Sequence, residues 1–347
     1  MQHSKRQHKN YIIPIVISAA VALVTLVICM GIGSVAINPA DSVAIVMHKI
    51  FGITLPENIT PNMTAILWDI RMPRVITAFF VGGALSVSGV VMQSVLRNPL
   101  ASSYTLGVSS GASVGVALIM VSGITIPWLG SLLMPATGFI FGFVTVIAVL
   151  ALTSVLDKGS RSDTIVLIGM VLSLFLNAVV TFIASFFPDH RSRIAIWLTG
   201  TFSGRNWTHA GVMAAVAVIS LIVLLFFARE LDIMTFGTEQ GMSMGVAVPR
   251  VRNITLAITA LLTGVAVCLA GLIGFIDLIA PHVVRKIFGS SNKIVLPMAM
   301  IYGGTFMAIA DLIARSLLAP REIAVGAVTA IIGAPFFAYV YFARRKA

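Results

Sequence analysis

An all-α polytopic membrane protein, with about ten transmembrane helices in an inverted five-plus-five repeat, is the fold class this sequence predicts. Three observations predict it. Of the 347 residues, 58% are hydrophobic and only 10% are charged, against roughly 25% charged in soluble domains. Apolar runs of about 20 residues, enough for a helix to cross a bilayer core, recur along the whole length. One segment also matches a second segment at a constant spacing of 182 residues.

The helices are expected at about 11–36, 73–97, 105–122, 131–155, 164–187, 207–228, 253–273, 276–288, 294–318 and 324–343. Residues 1–10, "MQHSKRQHKN", read as a cytoplasmic tail. The apolar run that follows is about twice the usual 7–15-residue core of a signal peptide, so it is expected to stay as the first helix. "SVA" before Ile37 leaves a cleavage site open. The second helix opens on Arg71, Pro73 and Arg74 and ends at Asn98–Pro99, and small residues at Gly82, Ala84, Ser86 and Gly89 let a neighbour approach closely. Ser173, Asn177 and Thr181 stripe one face of the fifth helix, as a pathway lining or as interhelical hydrogen bonds. The eighth helix is short and carries Pro281 and His282, and Asp311 and Arg315 on the ninth are spaced to pair.

Ten spans put both termini on one side, and the basic residues in loops assigned inside outnumber those assigned outside. Residues 37–70 are expected to face outward and the 229–252 loop inward. The net charge of +11 falls in short clusters between apolar runs, the pattern of loops beside anionic lipid rather than of a nucleic-acid surface. Cys29 and Cys268 both lie inside apolar runs, so neither a disulfide framework nor a metal site is expected.

The repeat aligns residues 76–99 with 258–281 without a gap. Ile76, Thr77, Ala78, Gly82, Ala84, Gly89, Leu96 and Pro99 recur as Ile258, Thr259, Ala260, Gly264, Ala266, Gly271, Leu278 and Pro281. These are the second and seventh helices, so each half holds five spans and the two copies cross in opposite directions, an arrangement common in transporters.

No catalytic constellation is present: the chain lacks H-E-x-x-H, G-x-S-x-G and the G-x-x-x-x-G-K-[ST] phosphate loop, and so cannot hydrolyse ATP itself. No cofactor is called for. In "RELDIMTFGTEQGMSMGVAVPRVR" (229–252), Met and Phe alternate with glycines, which suits either a docking surface for a partner or an ordinary connector.

"RMPRVITAFFVGGALSVSGVVMQSVLRNPLASSYTLGVSSGAS" (71–113) resembles the first signature of the FecCD-type permeases, membrane subunits of ABC importers for ferric siderophores, haem and cobalamin. Segments 271–289, 296–315 and 321–341 resemble three further signatures. The chain departs from the family's pattern at Ser102 and Ser103 (an acidic residue and proline), Leu272 (proline), Asp277 (glycine) and Ala324 (often proline).

The resemblance implies one permease domain over 1–347, with no enzymatic site, in a multi-pass subunit of a bacterial cytoplasmic membrane. It implies pairing with a second, identical or different, permease subunit, two cytoplasmic ATP-binding subunits and an extracytoplasmic substrate-binding protein. By position it assigns Arg71, Arg74 and Arg315 to docking of the binding protein. Glu239, Gly241, Ser243, Met244 and Gly245 fall where the ATPase couples, and Ser162 and Asp163 where the cytoplasmic gate closes. A ferric siderophore is the expected cargo, with haem or cobalamin as alternatives. A proton-driven secondary transporter with Asp277 and Asp311 as relay carboxylates is the alternative of another class.

Overall fold

The computed structural model describes residues 11–33, 35–156 and 162–344, with only the backbone of 162 and 340–344. The tail 1–10, Lys158, Arg161, Arg345 and Lys346 lie outside the described residues. All ten expected helices form: α1 (Ile12–Gly31), α4 (Met72–Leu96), α5 (Val108–Ser122), α6 (Leu133–Leu156), α7 (Ser162–Phe186), α9 (Trp207–Phe226), α12 (Val248–Ala270), α13 (Ile276–Phe288), α14 (Asn292–Ser316) and α15 (Val325–Arg344). Among the described residues, seven stretches are long and apolar enough to span a membrane, and α5 and α15 contribute shorter apolar stretches. Among the described residues five further α-helices join them: α2 (Pro39–Phe51), α3 (Pro61–Ala65), α8 (Pro188–Thr199), α10 (Ala228–Met234) and α11 (Thr238–Ser243).

Two boundaries differ from expectation for local reasons. The first helix stops at Gly31 rather than near residue 36, because the next turn is drawn aside by Arg71, which bonds the carbonyls of Met30, Gly31 and Val35. The second begins well before Pro73: the chain is helical from Pro61 and passes through a π-helical turn at Ile66–Arg71. Such a turn accommodates a proline by shifting the hydrogen-bond register.

Helix α4 is the centre of the bundle, buried nearly throughout, and it packs along α14 in antiparallel fashion. Phe79 meets Gly304, Gly83 meets Met300, and Ser94 meets Asn292. The backbones come so close that a Cβ on Gly304 would stand 2.7 Å from the Phe79 carbonyl oxygen. Without a hydrophobic drive between helices in lipid, this close small-residue packing is what holds them together. The repeat predicts a matching pair in the other half, and it is there: α12 packs on α6, with Gly264 against Gly138.

The halves are inverted in space as well. One face of the bundle gathers the end of α1, the starts of α4 and α9 and the end of α14, where Trp207 Nε1 donates to the Trp68 carbonyl at 3.0 Å. The opposite face gathers the start of α1, the end of α4, α10, α11 and the starts of α12 and α14. Helix α4 runs from the first face to the second, and α12 the other way. We call these the arginine face and the loop face. Both described ends of the chain lie toward the loop face: Tyr11 packs on Phe288, and α15 leaves the arginine face, where Val325 N bonds Gly200 O.

Candidate functional site

The arginine face is built on Arg71, Arg74 and Arg315. A docking role suggests guanidinium groups turned outward, but the structure buries all three. Arg71 is 4% and Arg74 7% exposed. Arg74 Nη2 lies 2.8 Å from Asp311 Oδ1 and its Nη1 2.6 Å from Glu322 Oε1. Arg315 Nε lies 3.7 Å from Asp311 Oδ2 and its Nη2 donates to the Cys29 carbonyl. Among the described residues Arg71 has no carboxylate partner; it donates to the Met30 and Gly31 carbonyls at the C-terminal end of α1, where the helix leaves acceptors free and its dipole is negative, and to the Val35 carbonyl beyond it.

The physical reason for the burial is charge balance. Arg74 and Arg315 share Asp311, and Glu322 pairs with Arg74 as well, two positive groups against two negative, so α4, α14 and the 317–324 connector can close over them. A desolvated ion needs a partner in good geometry, and the forked Arg74 has two. Glu322, at 36% side-chain exposure, is the group of this cluster that reaches water. The expected Asp311–Arg315 pair is present, and Arg74 is the stronger partner. Sequence reasoning missed Glu322; its signal was an acid beside Arg321 directly after the ninth helix.

On the loop face, Glu239, Ser243, Met244 and Gly245 are exposed, and Gly241 is buried. Phe236, Met242 and Met244 project there at 72%, 51% and 62% exposure. The three glycines do different jobs. Gly237 and Gly245 take positive φ of 129° and 85°, backbone that a side chain would strain. Gly241 is helical, and its need is space, since a Cβ would stand 2.9 Å from Val248.

The polar stripe on α7 divides. Ser173 turns inward, its hydroxyl donating to the Gly169 and Tyr104 carbonyls at 2.8 and 3.3 Å. Asn177 and Thr181 are exposed among Leu174, Phe175 and Phe182 on the bundle's outer wall. Asp163 is exposed in the first turn of α7; Ser162 begins that helix, and its side chain lies outside the described residues. These residues do not converge with the arginines or with α11.

Asp277 and Asp311 do not form a relay. Asp311 is held by Arg74 and Arg315, whereas Asp277, 1% exposed, sits at the start of α13 facing Ser102 and Ser103. His282 packs its ring edgewise on Phe336, 6.5 Å between centroids. Among the described residues no cluster of His, Cys, Asp or Glu is arranged to hold a metal.

Comparison with known proteins adds to this geometry. Residues 21–343 match the FecCD transport family. The Fe(3+)-citrate import system permease protein YfmE of Bacillus subtilis is 32% identical, with all of both chains covered. The cobalamin import system permease protein BtuC of Halobacterium salinarum is 34% identical over 87% of this chain and 78% of its own. A solved chain described as an inward-facing conformation of a metal-chelate type ABC transporter superposes with a TM-score of 0.81 at 27% identity, covering 95% of this chain and 98% of that one. The chain therefore belongs to the FecCD transport family: it is a multi-pass ABC-importer permease and not an enzyme, ATP hydrolysis being the work of a separate ATPase subunit.

Proposed function

We propose that this permease carries a ferric siderophore or a related iron complex across the bacterial cytoplasmic membrane, with the loop face in the cytoplasm. The observation that carries the reading is the full-length likeness to a permease named for ferric citrate, together with a fold shared with a metal-chelate type transporter. The opposed crossings of α4 and α12 suit a bundle whose path opens alternately to either side.

In this reading two permease subunits enclose a central path. Asn177 and Thr181, polar and exposed on an otherwise greasy wall of α7, face that path or the second subunit rather than lipid, where an unsatisfied amide is costly. Ser162 and Asp163, at the loop-face end of the same helix, belong to the gate, and Ser173 braces the helix from within. Two ATP-binding subunits grip α11 through Glu239, Ser243, Met244 and Gly245, with Gly241 shaping the contact from inside. The substrate-binding protein docks on the arginine face. There Arg71, Arg74 and Arg315 hold α1, α4, α14 and the connector in register beneath the contact surface, and Glu322 lies at its rim.

The test is reconstitution in liposomes with the cognate ATPase and binding protein. ATP-dependent uptake of ferric citrate or another ferric chelate, exceeding that of haem and cobalamin, supports the iron reading. Preference for haem or cobalamin replaces it. Uptake that survives an inactive ATPase and collapses with an uncoupler indicates a proton-driven carrier instead. An impermeant maleimide should label Asn58→Cys from outside cells and miss Gln240→Cys, and the reverse pattern would invert the topology.

A further inference from the structure

The same two helices, α4 and α14, are tied together by polar groups at both ends. At the arginine face the tie is Arg74 to Asp311. At the loop face it is a different network. Ser94 of α4 and Asn292 of α14, both buried, bond each other at 3.2 and 3.4 Å. Arg285 of α13 reaches both, at 3.1 Å to Ser94 Oγ and 3.3 Å to Asn292 Oδ1. Asp232 of α10 then caps α14: its Oδ1 accepts from the Asn292 amide at 2.8 Å and its Oδ2 from the Ser291 hydroxyl at 3.3 Å. A carboxylate on the free amides at the start of a helix also meets the positive end of its dipole.

Between the ties, α4 and α14 are in backbone-to-backbone contact and leave no room to slide independently. Helix α10 continues through Gly237 into α11, and its Leu231 and Met234 are sunk into the bundle core. A push on α11 therefore reaches α14 through two routes, apolar packing and the Asp232 cap. The cap is the directional one.

We infer that Asp232 is a positioning residue for transport: it is the joint through which displacement of α10–α11 moves the α4–α14 pair as one rod, and so reaches the arginine face. This rests on the proposal that an ATPase grips α11.

The experiment uses the full transporter with its ATPase in liposomes, and a cysteine placed at the exposed Arg321 beside Glu322. Cys29 and Cys268 are buried, at 0% and 1% exposure, so Arg321→Cys is the reporting thiol. In this reference protein, ATP is expected to change the rate of labelling by an impermeant maleimide. Adding Asp232→Ala should cut that response by about tenfold, within the range of ordinary allosteric coupling, and leave basal ATP hydrolysis within about twofold. Asp232→Asn, which keeps one acceptor for the Asn292 amide, should restore part of it; it is also the variant to read if Asp232→Ala does not assemble.

A full response to ATP in Asp232→Ala, or in Asp232→Asn where that is the variant read, overturns the inference and leaves the importer reading intact. So does equal loss of response and basal hydrolysis, which marks a purely structural cap. If the reference protein hydrolyses ATP with no labelling change, coupling to the arginine face is absent and the inference falls. If the permease has no ATPase partner, the functional reading falls with it.

Discussion

The two ends of the α4–α14 pair solve the same problem with different chemistry. At the arginine face, four charged groups are packed where Asp311 is fully buried and Arg74 nearly so. At the loop face, the tie uses a buried Ser–Asn pair, with Arg285 and Asp232 reaching in from half-buried positions. Ions out of water are costly unless every partner stays, so the first end is rigid and intolerant of single losses. The bonds made by the half-buried Asp232 and Arg285 can be exchanged for solvent at smaller net cost, so the second end can give. One end is a clamp and the other a hinge, and between them the two helices touch backbone to backbone.

Removing the shared counter-ion is the most severe way to break this comparison. Asp311→Ala leaves Arg74 with Glu322 alone and Arg315 without a carboxylate, a loss of about 3–5 kcal/mol expected for a broken buried pair. Purified protein in detergent should unfold at markedly lower temperature, whereas Asn292→Ala at the other end should cost about a third as much or less. Equal losses would end the distinction between clamp and hinge.

The seam between the ends comes next. Gly304→Val should cost about 1–3 kcal/mol, because the Phe79 carbonyl cannot retreat from an added side chain. Gly211→Val is the control: Gly211 is exposed on α9 with nothing within 4 Å of an added Cβ. Similar stabilities for the two variants would show that α4 and α14 are less tightly pressed than described.

Loop-face glycines sharpen the hinge side. Gly245→Val should strain a φ of 85° by about 1–3 kcal/mol while meeting no neighbour, so its effect is on local shape alone. Insertion should be normal and ATP hydrolysis uncoupled from uptake. Wild-type uptake with normal stimulation of the ATPase would remove the α11 assignment.

Glu322→Gln is expected to do least, about 0–1 kcal/mol, since its side chain is 36% exposed and water can replace the lost charge. A destabilisation as large as that of Asp311→Ala would mean that the connector is sealed from solvent.

The helices were legible because length, apolar content and the 182-residue repeat are local or periodic signals. The outer helices α2 and α8 were missed although their punctuation is present: each has a proline at its first position and a positive-φ glycine just after its end, at Gly52 and Gly200. Their modest apolar content did not register beside the long spans. The arginine assignments came from position along the chain, which carries no information on how each guanidinium is turned. Whether a guanidinium faces water depends on acids far away in sequence, such as Asp311 and Glu322 for Arg74.

By itself, then, the sequence determined what a bilayer enforces on any chain: spans of sufficient length, small residues where helices must touch, and a duplicated half whose odd number of crossings inverts it. Only the tertiary structure decided which charges meet. Lipid excludes unpaired charge without specifying the partner, and the partners of Arg71 and Arg74 come from helices and turns that reach them only when α1, α4 and α14 have packed.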